Sequence, residues 1–195
     1  FGNTPKAIPP WGGSKPLFGT NPIAFSAPRA NDAPMVIDMS LSKVARGRVM
    51  LANQQNEKIP EGWAIDAEGK PTTDPKKALA GAMLPIGDAK GSALALMVEV
   101  LAGGLTGSNF GFEASSFLDA EGDSPAVGQL IIAIDPSFFS GESFDARTET
   151  LIGTILEQPG TRLPGDKRIE KRKAREKSET ITISKELYEK IELLT

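Results

Sequence analysis

The stretch Leu84-Pro85-Ile86-Gly87-Asp88-Ala89-Lys90-Gly91 leads from a turn into the most apolar segment of the chain. That segment, Lys90–Leu101, is apolar almost all round, which predicts a buried helix that ends at Gly103-Gly104. A helix N-terminus offers unpaired N–H groups and partial positive charge, and both suit a phosphate. Lys90 would add a charge there, and Gly91 would let a ligand approach the backbone.

A second interpretation of the same stretch is a glycine-rich turn that caps a core helix and leaves Lys90 in solvent. The glycine spacing matches neither a P-loop nor the dinucleotide-binding fingerprint of the Rossmann fold. The chemistry of these residues therefore leaves both interpretations open.

Two short strands are predicted upstream, at Ile23–Ala27 and Met35–Met39, because both runs are rich in apolar and β-branched residues. Ser40 is predicted to cap a helix that continues to Gln55. Asp38 then lies at a strand end, where its carboxylate could accept hydrogen bonds from ribose hydroxyls or orient a catalytic group. Alternatively, it serves the dipole of the following helix.

The remaining elements are predicted from local signals. Asp74 and Pro75 predict the cap and first residue of a short helix. Residues 108–126 are polar and irregular, whereas Leu130–Ile134 predicts a strand buried on both faces. Three further helices are predicted, at Glu142–Glu157, Asp166–Lys177 and Ser184–Leu194, the last with Ser184 as its cap.

Composition narrows the class of protein. The 195 residues indicate one domain and carry 22 basic and 25 acidic side chains, a net charge of −3 that does not favour a nucleic-acid binder. The chain lacks cysteine, which excludes disulfides and thiolate sites, and it lacks histidine, which excludes every histidine-containing triad. No metal site is predicted. An acid–base group within this chain would be Asp, Glu, Lys or Tyr.

The segment Asp166–Lys177 carries seven Lys or Arg residues against three acids. Because aromatic residues are not interleaved, the pattern is typical of a solvated helix with local ion pairs, and a basic interaction module is the alternative. The sequence shows no signal-peptide pattern, and its apolar runs are too short to span a bilayer. We therefore expect a cytoplasmic protein with neither a membrane nor a nucleic-acid partner.

Several short motifs occur in a consistent order along nearly the whole chain. They are Pro10-Trp11-Gly12-Gly13, Gly19-Thr20-Asn21-Pro22-Ile23-Ala24, Val36-Ile37-Asp38-Met39-Ser40, Gly62-Trp63-Ala64-Ile65-Asp66-Ala67-Glu68-Gly69, Thr72-Thr73-Asp74-Pro75, Leu84-Pro85-Ile86-Gly87 with Lys90-Gly91, and Leu163-Pro164-Gly165. In this order and spacing they resemble the malate/L-lactate dehydrogenase type 2 family of NAD(P)-dependent oxidoreductases. That family includes ureidoglycolate, sulfolactate and diketogulonate enzymes and the piperideine-2-carboxylate reductases.

The resemblance implies an α/β (α+β) fold that is not a Rossmann fold. Residues 1–160 would form most of a two-layer, mixed-sheet NAD(P)-binding domain, and residues 161–195 a helical segment that joins a helical domain. Family members are usually homodimers. The implied reaction is hydride transfer between NAD or NADP and a small 2-hydroxy or 2-oxo acid, or a cyclic imino acid. The alternative is a truncated, non-catalytic protein that binds nucleotide or a partner.

The resemblance also implies a set of cofactor-binding residues. They are Thr4, Met35, Val36, Ile37, Asp38, Met39, Ser40, Ala89, Lys90, Gly165, Asp166 and Lys167. Lys90 would neutralise a phosphate or polarise the ligand, and Asp38 would bind the cofactor. No catalytic residue is assigned here, because the motifs match only the C-terminal part of the family chain, and the family histidine implied as proton donor lies in its N-terminal part. Two residues depart from the family pattern: Ala89 stands where an aromatic residue or histidine often precedes Lys-Gly, and Asp166 replaces or displaces the usual acid.

Overall fold

The structure is a computed structural model that describes residues 1–119, 121–178 and 180–194. Its chain divides into two compact units. Unit 1 comprises Phe1–Phe25 and Ile37–Phe139, and unit 2 comprises Ser26–Val36 and the described residues from Ser140 onward. Among the described residues, no helix is both long and apolar enough to cross a membrane.

The elements follow one another as a mixture of short strands and helices. In chain order they are β1 (Ile23–Ala27), β2 (Met35–Met39), α1 (Arg46–Gln55), β3 (Ala64–Ile65), α2 (Pro75–Ala80), β4 (Ala82–Met83), α3 (Ala89–Val98) with a π-helical extension (Glu99–Gly104), α4 (Ser137–Ser140), a 3₁₀ turn (Gly141–Ser143), α5 (Phe144–Leu156), α6 (Asp166–Ser178) and α7 (Lys185–Glu192). Strand β1 pairs with β2, and β3 pairs antiparallel with β4. The predicted combination of α and β structure is confirmed, with sheets of two strands each.

Several predictions from local signals are confirmed. Both upstream strands have the predicted bounds. The Asp74 side chain accepts hydrogen bonds from the backbone N–H groups of Lys76 and Lys77 and caps α2, whose first residue is Pro75. Ser184 caps α7 through the backbone N–H of Leu187. These elements are set by residues within a few positions of each other, which a sequence pattern can capture.

The prediction that Ser40 caps the next helix is wrong. Helix α1 begins six residues later, after Ala45, and no side chain caps it. The intervening residues pair with the loop before α3 instead: Lys43 N donates to Leu84 O at 2.7 Å, and Ile86 N donates to Leu41 O at 2.8 Å. These bonds keep the chain extended where a helix was predicted.

The predicted all-round burial of the apolar helix is also wrong for the described chain. Helix α3 buries one face of mostly small residues, including Ser92, Ala95 and Val98. On the other side, Leu96 is 50% exposed and Val100 is 55% exposed. Apolar composition alone does not predict which sides of a helix pack against other parts of the chain.

The strand predicted at Leu130–Ile134 does not form. Leu130 N donates to Phe1 O at 2.9 Å, but the residues that follow lie outside any described ladder. Ile131 is 86% exposed and Ile134 is 70% exposed. A strand needs a partner backbone as well as an apolar run, and the described residues supply one only at Leu130.

The core lies in unit 1 and joins its strands and helices. It is built from the buried residues Ala7, Ile8, Phe18, Leu41, Val44, Val49, Ile59, Ala64, Ala78, Met83, Ala95, Val98 and Ala102. Because Leu41 and Val44 belong to it, the segment between β2 and α1 is anchored firmly beside the loop that precedes α3.

Candidate functional site

A chain of hydrogen bonds in unit 1 connects three segments that carry predicted site residues. Thr20 N donates to Thr4 Oγ1 at 2.9 Å, and Leu41 N donates to Thr20 O at 2.7 Å. Ile86 N in turn donates to Leu41 O at 2.8 Å. The N-terminal segment, the end of β2 and the loop before α3 are therefore consecutive links of one network.

The loop before α3 is tightly folded. Gly87 has φ +61° and Asp88 has φ +57°, a region that favours glycine. A Cβ on Gly91 would lie 1.8 Å from the carbonyl oxygen of Ile86. Gly91 is thus required for packing against its own loop, and the role of admitting a ligand to the backbone stays a prediction.

The start of α3 nevertheless retains the properties that suit an anion. Ala89 and Lys90 are exposed in its first turn. That turn contains no acidic residue, and the Asp88 side chain makes no capping hydrogen bond. No side chain therefore occupies the N–H groups of this turn, which agrees with either interpretation of Lys90.

Asp38 is exposed on β2, next to Met39, and it has a partner of its own. Seven non-helical or capping residues separate it from Arg46, the first residue of α1. One interpretation of Asp38 was that its carboxylate interacts with the dipole of the next helix. That interpretation required the helix to begin directly after β2, whereas α1 begins only at Arg46. Ser40 lies beyond the strand, with its hydroxyl 3.2 Å from that of Ser42.

A second group of predicted site residues comes together in unit 2. Gly165, with φ +92°, lies so close to β2 that a Cβ there would be 3.2 Å from Val36 O. Asp166 Oδ2 accepts a hydrogen bond from Leu163 N at 2.7 Å, so this acid stabilises the turn that begins α6. Lys167 is exposed. The predicted cofactor residues are thus divided between the two units, and their cofactor roles stay predictions.

Glu99, which was not predicted from the sequence, is a buried carboxylate at the start of the π-helical extension and is only 4% exposed. Its Oε1 accepts hydrogen bonds from Gly19 N at 3.0 Å and Asn21 Nδ2 at 2.9 Å. Its Oε2 accepts from Gly111 N at 3.0 Å and Asn3 Nδ2 at 3.2 Å. These bonds fix the neighbours of Thr4 and Thr20. The available signal was a single acid within an apolar helix.

A cleft lies beside these threonines and was not predicted from the sequence either. It has a volume of about 310 Å³, and its lining includes Thr4, Lys6, Thr20, Arg46 and Phe117. The Arg46 Nη2 donates to Leu79 O at 3.3 Å, whereas its Nε is buried without a hydrogen-bond partner among the described residues. Burial lowers the pKa of the Arg46 guanidinium from its ordinary value.

The basic helix α6 is exposed to solvent, unlike the cleft beside Arg46. A shallow groove along it is lined by Lys167, Arg168, Lys171, Arg172, Arg175 and Glu176. Arg172 Nε donates to Glu176 Oε1 at 3.0 Å, and both side chains are exposed. An exposed i, i+4 pair of this kind contributes roughly 0.3–0.5 kcal/mol. The described residues hold no cluster of three or more acids, histidines or cysteines able to bind a metal ion.

Comparison with known proteins agrees with the sequence resemblance. The model of the malate/L-lactate dehydrogenase family matches residues 1–192.

The chain belongs to this family.

A family relative from Chromohalobacter salexigens, (2R)-3-sulfolactate dehydrogenase (NADP(+)), is 58% identical over 178 residues, which are 91% of this chain and 53% of the relative. Delta(1)-pyrroline-2-carboxylate reductase 1 from Burkholderia ambifaria is 46% identical over 94% of this chain and 54% of its own length. The chain therefore spans about half the length of the curated family members it matches.

Solved structures of the family extend the likeness to the fold. The crystal structure of delta1-piperideine-2-carboxylate reductase from Pseudomonas syringae superposes with a TM-score of 0.88 at 42% identity and covers 99% of this chain and 58% of that one. Sulfolactate dehydrogenase from Methanocaldococcus jannaschii superposes with a TM-score of 0.80 at 38% identity and covers 96% and 55% of the two chains. The predicted family is thus confirmed by sequence and by fold.

Proposed function

We propose that this chain is the cofactor-binding part of an NAD(P)-dependent oxidoreductase. It would transfer a hydride between the nicotinamide and a small 2-hydroxy or 2-oxo acid, or a cyclic imino acid. The observation that carries this proposal is the 58% identity to a sulfolactate dehydrogenase, alongside 46% identity to a pyrroline-2-carboxylate reductase. Their named substrates both place a carboxylate beside the carbon that changes oxidation state. The NADP⁺ in the first name favours NADP over NAD.

The residues present fit a dinucleotide. The first turn of α3 combines an exposed Lys90 with backbone N–H groups that no side chain caps. Lys90 would hold a phosphate there or polarise the bound ligand. Asp38 and the neighbouring residues Ile37, Met39 and Ser40 would contact the cofactor from the end of β2, with Thr4 and Ala89 beside them in the same unit.

In unit 2, Gly165 packs against Val36 of β2, and we propose that the cofactor contacts both at the turn that begins α6. Met35, Asp166 and Lys167 complete this second group. We propose that residues 1–160 belong to a non-Rossmann, two-layer cofactor domain and that 161–195 join a helical domain. We also propose that the whole protein is a homodimer.

The bound dinucleotide would supply a hydride from C4 of its reduced nicotinamide to the C=O or C=N carbon, and the nicotinamide ring is oxidised as that carbon is reduced. A proton must then reach the carbonyl oxygen or the imine nitrogen. These 195 residues contain no histidine. We propose that the proton comes from a histidine of the family that lies outside them, while this chain holds and orients the reactants.

The experiment is a fluorescence titration of NADPH and NADH with wild-type chain, Lys90→Ala and Lys173→Ala. Lys173 is a matched control because it lies on the exposed basic helix. A charge-assisted hydrogen bond contributes roughly 1.5–3 kcal/mol, so Lys90→Ala should weaken binding about tenfold or more. Lys173→Ala should change the binding free energy by no more than about 0.5 kcal/mol. Equal dissociation constants for the two variants would remove Lys90 from the site.

A further inference from the structure

Arg46 is half-buried and largely unpaired. A guanidinium has five N–H donors, and the described residues engage one of them, Nη2, at the long distance of 3.3 Å to Leu79 O. Nε is buried without a partner. The first turn of α1 contains no acidic residue, and no side chain caps this helix. Nothing on Arg46's own helix therefore neutralises it.

Such a cation is costly unless a ligand pairs with it. A buried donor without a partner destabilises the folded chain, and the effect is larger when the group is charged. Burial also lowers the pKa of Arg46, and no acid offsets that effect. A buried cation of this kind is stabilised when an anion binds to it and satisfies its N–H donors.

The walls of the cleft beside Arg46 complement a small organic anion. Thr4 and Thr20 add hydroxyl groups, and Lys6 adds a second cation. Thr4 Oγ1 accepts a hydrogen bond from Thr20 N at 2.9 Å and lies 3.4 Å from Thr20 Oγ1. Either hydroxyl can be the donor in that pair, so the hydrogen of the other hydroxyl is available for a ligand. None of the described residues that line the cleft is acidic. Phe117, which is half exposed, offers an apolar surface for the body of the ligand.

Size restricts the ligand further. A volume of about 310 Å³ is at the lower end of the roughly 300–1,000 Å³ typical of small-molecule sites. The cleft would hold a small acid, or one phosphate of a larger molecule, but not a whole dinucleotide.

We infer that this cleft is an oxyanion site in which Arg46 binds the carboxylate or sulfonate of a small organic acid, with Thr4, Thr20 and Lys6 beside it. The planar guanidinium fork matches two oxygens of either group. Assigning the acid as the substrate of hydride transfer rests on the proposed function, whereas the anion site itself does not. A phosphate of the dinucleotide has the same oxyanion chemistry, and the experiment separates the two sources.

The test measures binding without a dinucleotide. Isothermal calorimetry on the 195-residue chain uses cyclopentanecarboxylate and 3-sulfopropanoate as unreactive acids and cyclopentanecarboxamide as the neutral control ligand. Arg46→Gln removes the charge, Arg46→Lys keeps the charge but loses the fork, and Arg48→Gln changes an exposed arginine of the same helix. Arg46→Gln should weaken binding of both acids tenfold to a hundredfold, Arg46→Lys should weaken it less, and Arg48→Gln should change it less than twofold.

Three results would overturn the inference. The first is equal binding of the acids by Arg46→Gln and Arg48→Gln, and the second is no binding of either acid by the wild-type chain. The third is an Arg46→Gln chain that loses affinity for NADPH but not for the acids, which would assign the oxyanion to the cofactor. If Arg46→Gln does not fold, Arg46→Lys decides the same comparison. Failure of the proposed function would appear separately, as acid binding that depends on Arg46 without any binding of NADPH.

Discussion

At the scale of single residues, Glu99 shows how one side chain can fix several loops. It is a buried carboxylate held by four N–H donors from Asn3, Gly19, Asn21 and Gly111. Two of those donors belong to the backbone, so the carboxylate sets the path of the main chain next to Thr4 and Thr20. The cleft and the loop network both depend on that path.

Glu99→Gln should destabilise the chain by about 2–4 kcal/mol, because an amide NH₂ would face N–H donors that the carboxylate now satisfies. The matched control is Glu113→Gln, since Glu113 is exposed and accepts one hydrogen bond, from Phe110 N. Urea unfolding followed by circular dichroism measures both. A Glu99→Gln chain as stable as Glu113→Gln would show that the four bonds do not stabilise this region.

Asp88 adopts φ +57° and ψ −120°, a conformation that a residue with a Cβ rarely takes. Strain of this kind costs of the order of 1–3 kcal/mol. Asp88→Gly should therefore stabilise the chain by roughly 1 kcal/mol after the added flexibility of the unfolded chain is subtracted. Asp88→Ala removes the same charge but keeps the strain, so its unfolding midpoint should lie below that of Asp88→Gly. Equal midpoints would contradict the assignment of strain.

At the scale of elements, an ion pair anchors the segment between the first two strands to α5 within unit 2. Arg29 Nε and Nη2 donate to the two carboxylate oxygens of Glu149 at 3.1 and 2.9 Å. These hydrogen bonds lower the pKa of Glu149 and raise that of Arg29. Arg29 also pairs with Asp32 at 3.1 Å.

Because the folded-state pKa of Glu149 lies below its unfolded value, the pair contributes stability above the unfolded pKa. That contribution is lost as pH falls through the folded pKa. Glu149→Gln should therefore reduce the thermal midpoint at pH 7 and flatten its decline between neutral and acid pH. Glu142→Gln, an exposed acid of the same unit, should leave the profile unchanged. Melting curves from pH 7 to pH 3 test this, and parallel profiles for wild type and Glu149→Gln would contradict it.

The elements also show what a sequence can predict. The bounds of β1 and β2 and the caps of α2 and α7 follow from neighbouring residues, and all were predicted correctly. The start of α1 and the absence of a strand at Leu130–Ile134 depend on backbone partners far away in sequence. The same holds for the site. The Lys90 loop can be predicted as a local motif. The roles of Arg46 and Glu99 depend on contacts with residues far away in sequence, which a local pattern does not show.

At the scale of the whole molecule, many large apolar side chains are exposed. Leu96 of α3 and Val100 of its π-helical extension, one turn apart, are each at least half exposed. Ile131, Ile132 and Ile134 are also more than half exposed. Apolar patches of this kind mark interfaces or sites of aggregation. The chain spans about half of its curated relatives, and we propose that the rest of the family fold covers part of this surface.

The 195-residue chain should accordingly bind a hydrophobic dye and self-associate as its concentration rises. The double variant Leu96→Gln/Val100→Gln should reduce both effects, whereas Leu51→Gln, which changes an exposed leucine on α1, should not. Dye fluorescence and sedimentation velocity measure the two properties. A wild-type chain that stays monomeric and binds no dye would contradict this account of the surface.

We propose that these residues hold a dinucleotide for hydride transfer, and deuterium transfer tests this role most directly. A chimera would carry this chain in place of the matched 53% of the Chromohalobacter salexigens relative and would receive NADPH deuterated at C4 with 3-sulfopyruvate or pyrroline-2-carboxylate. We predict deuterium at C2 of the product, and a rate at least about 10²-fold lower for the 195-residue chain alone, which has no histidine to donate the proton. A folded chimera that oxidises no NADPH and forms no deuterated product would contradict the claim.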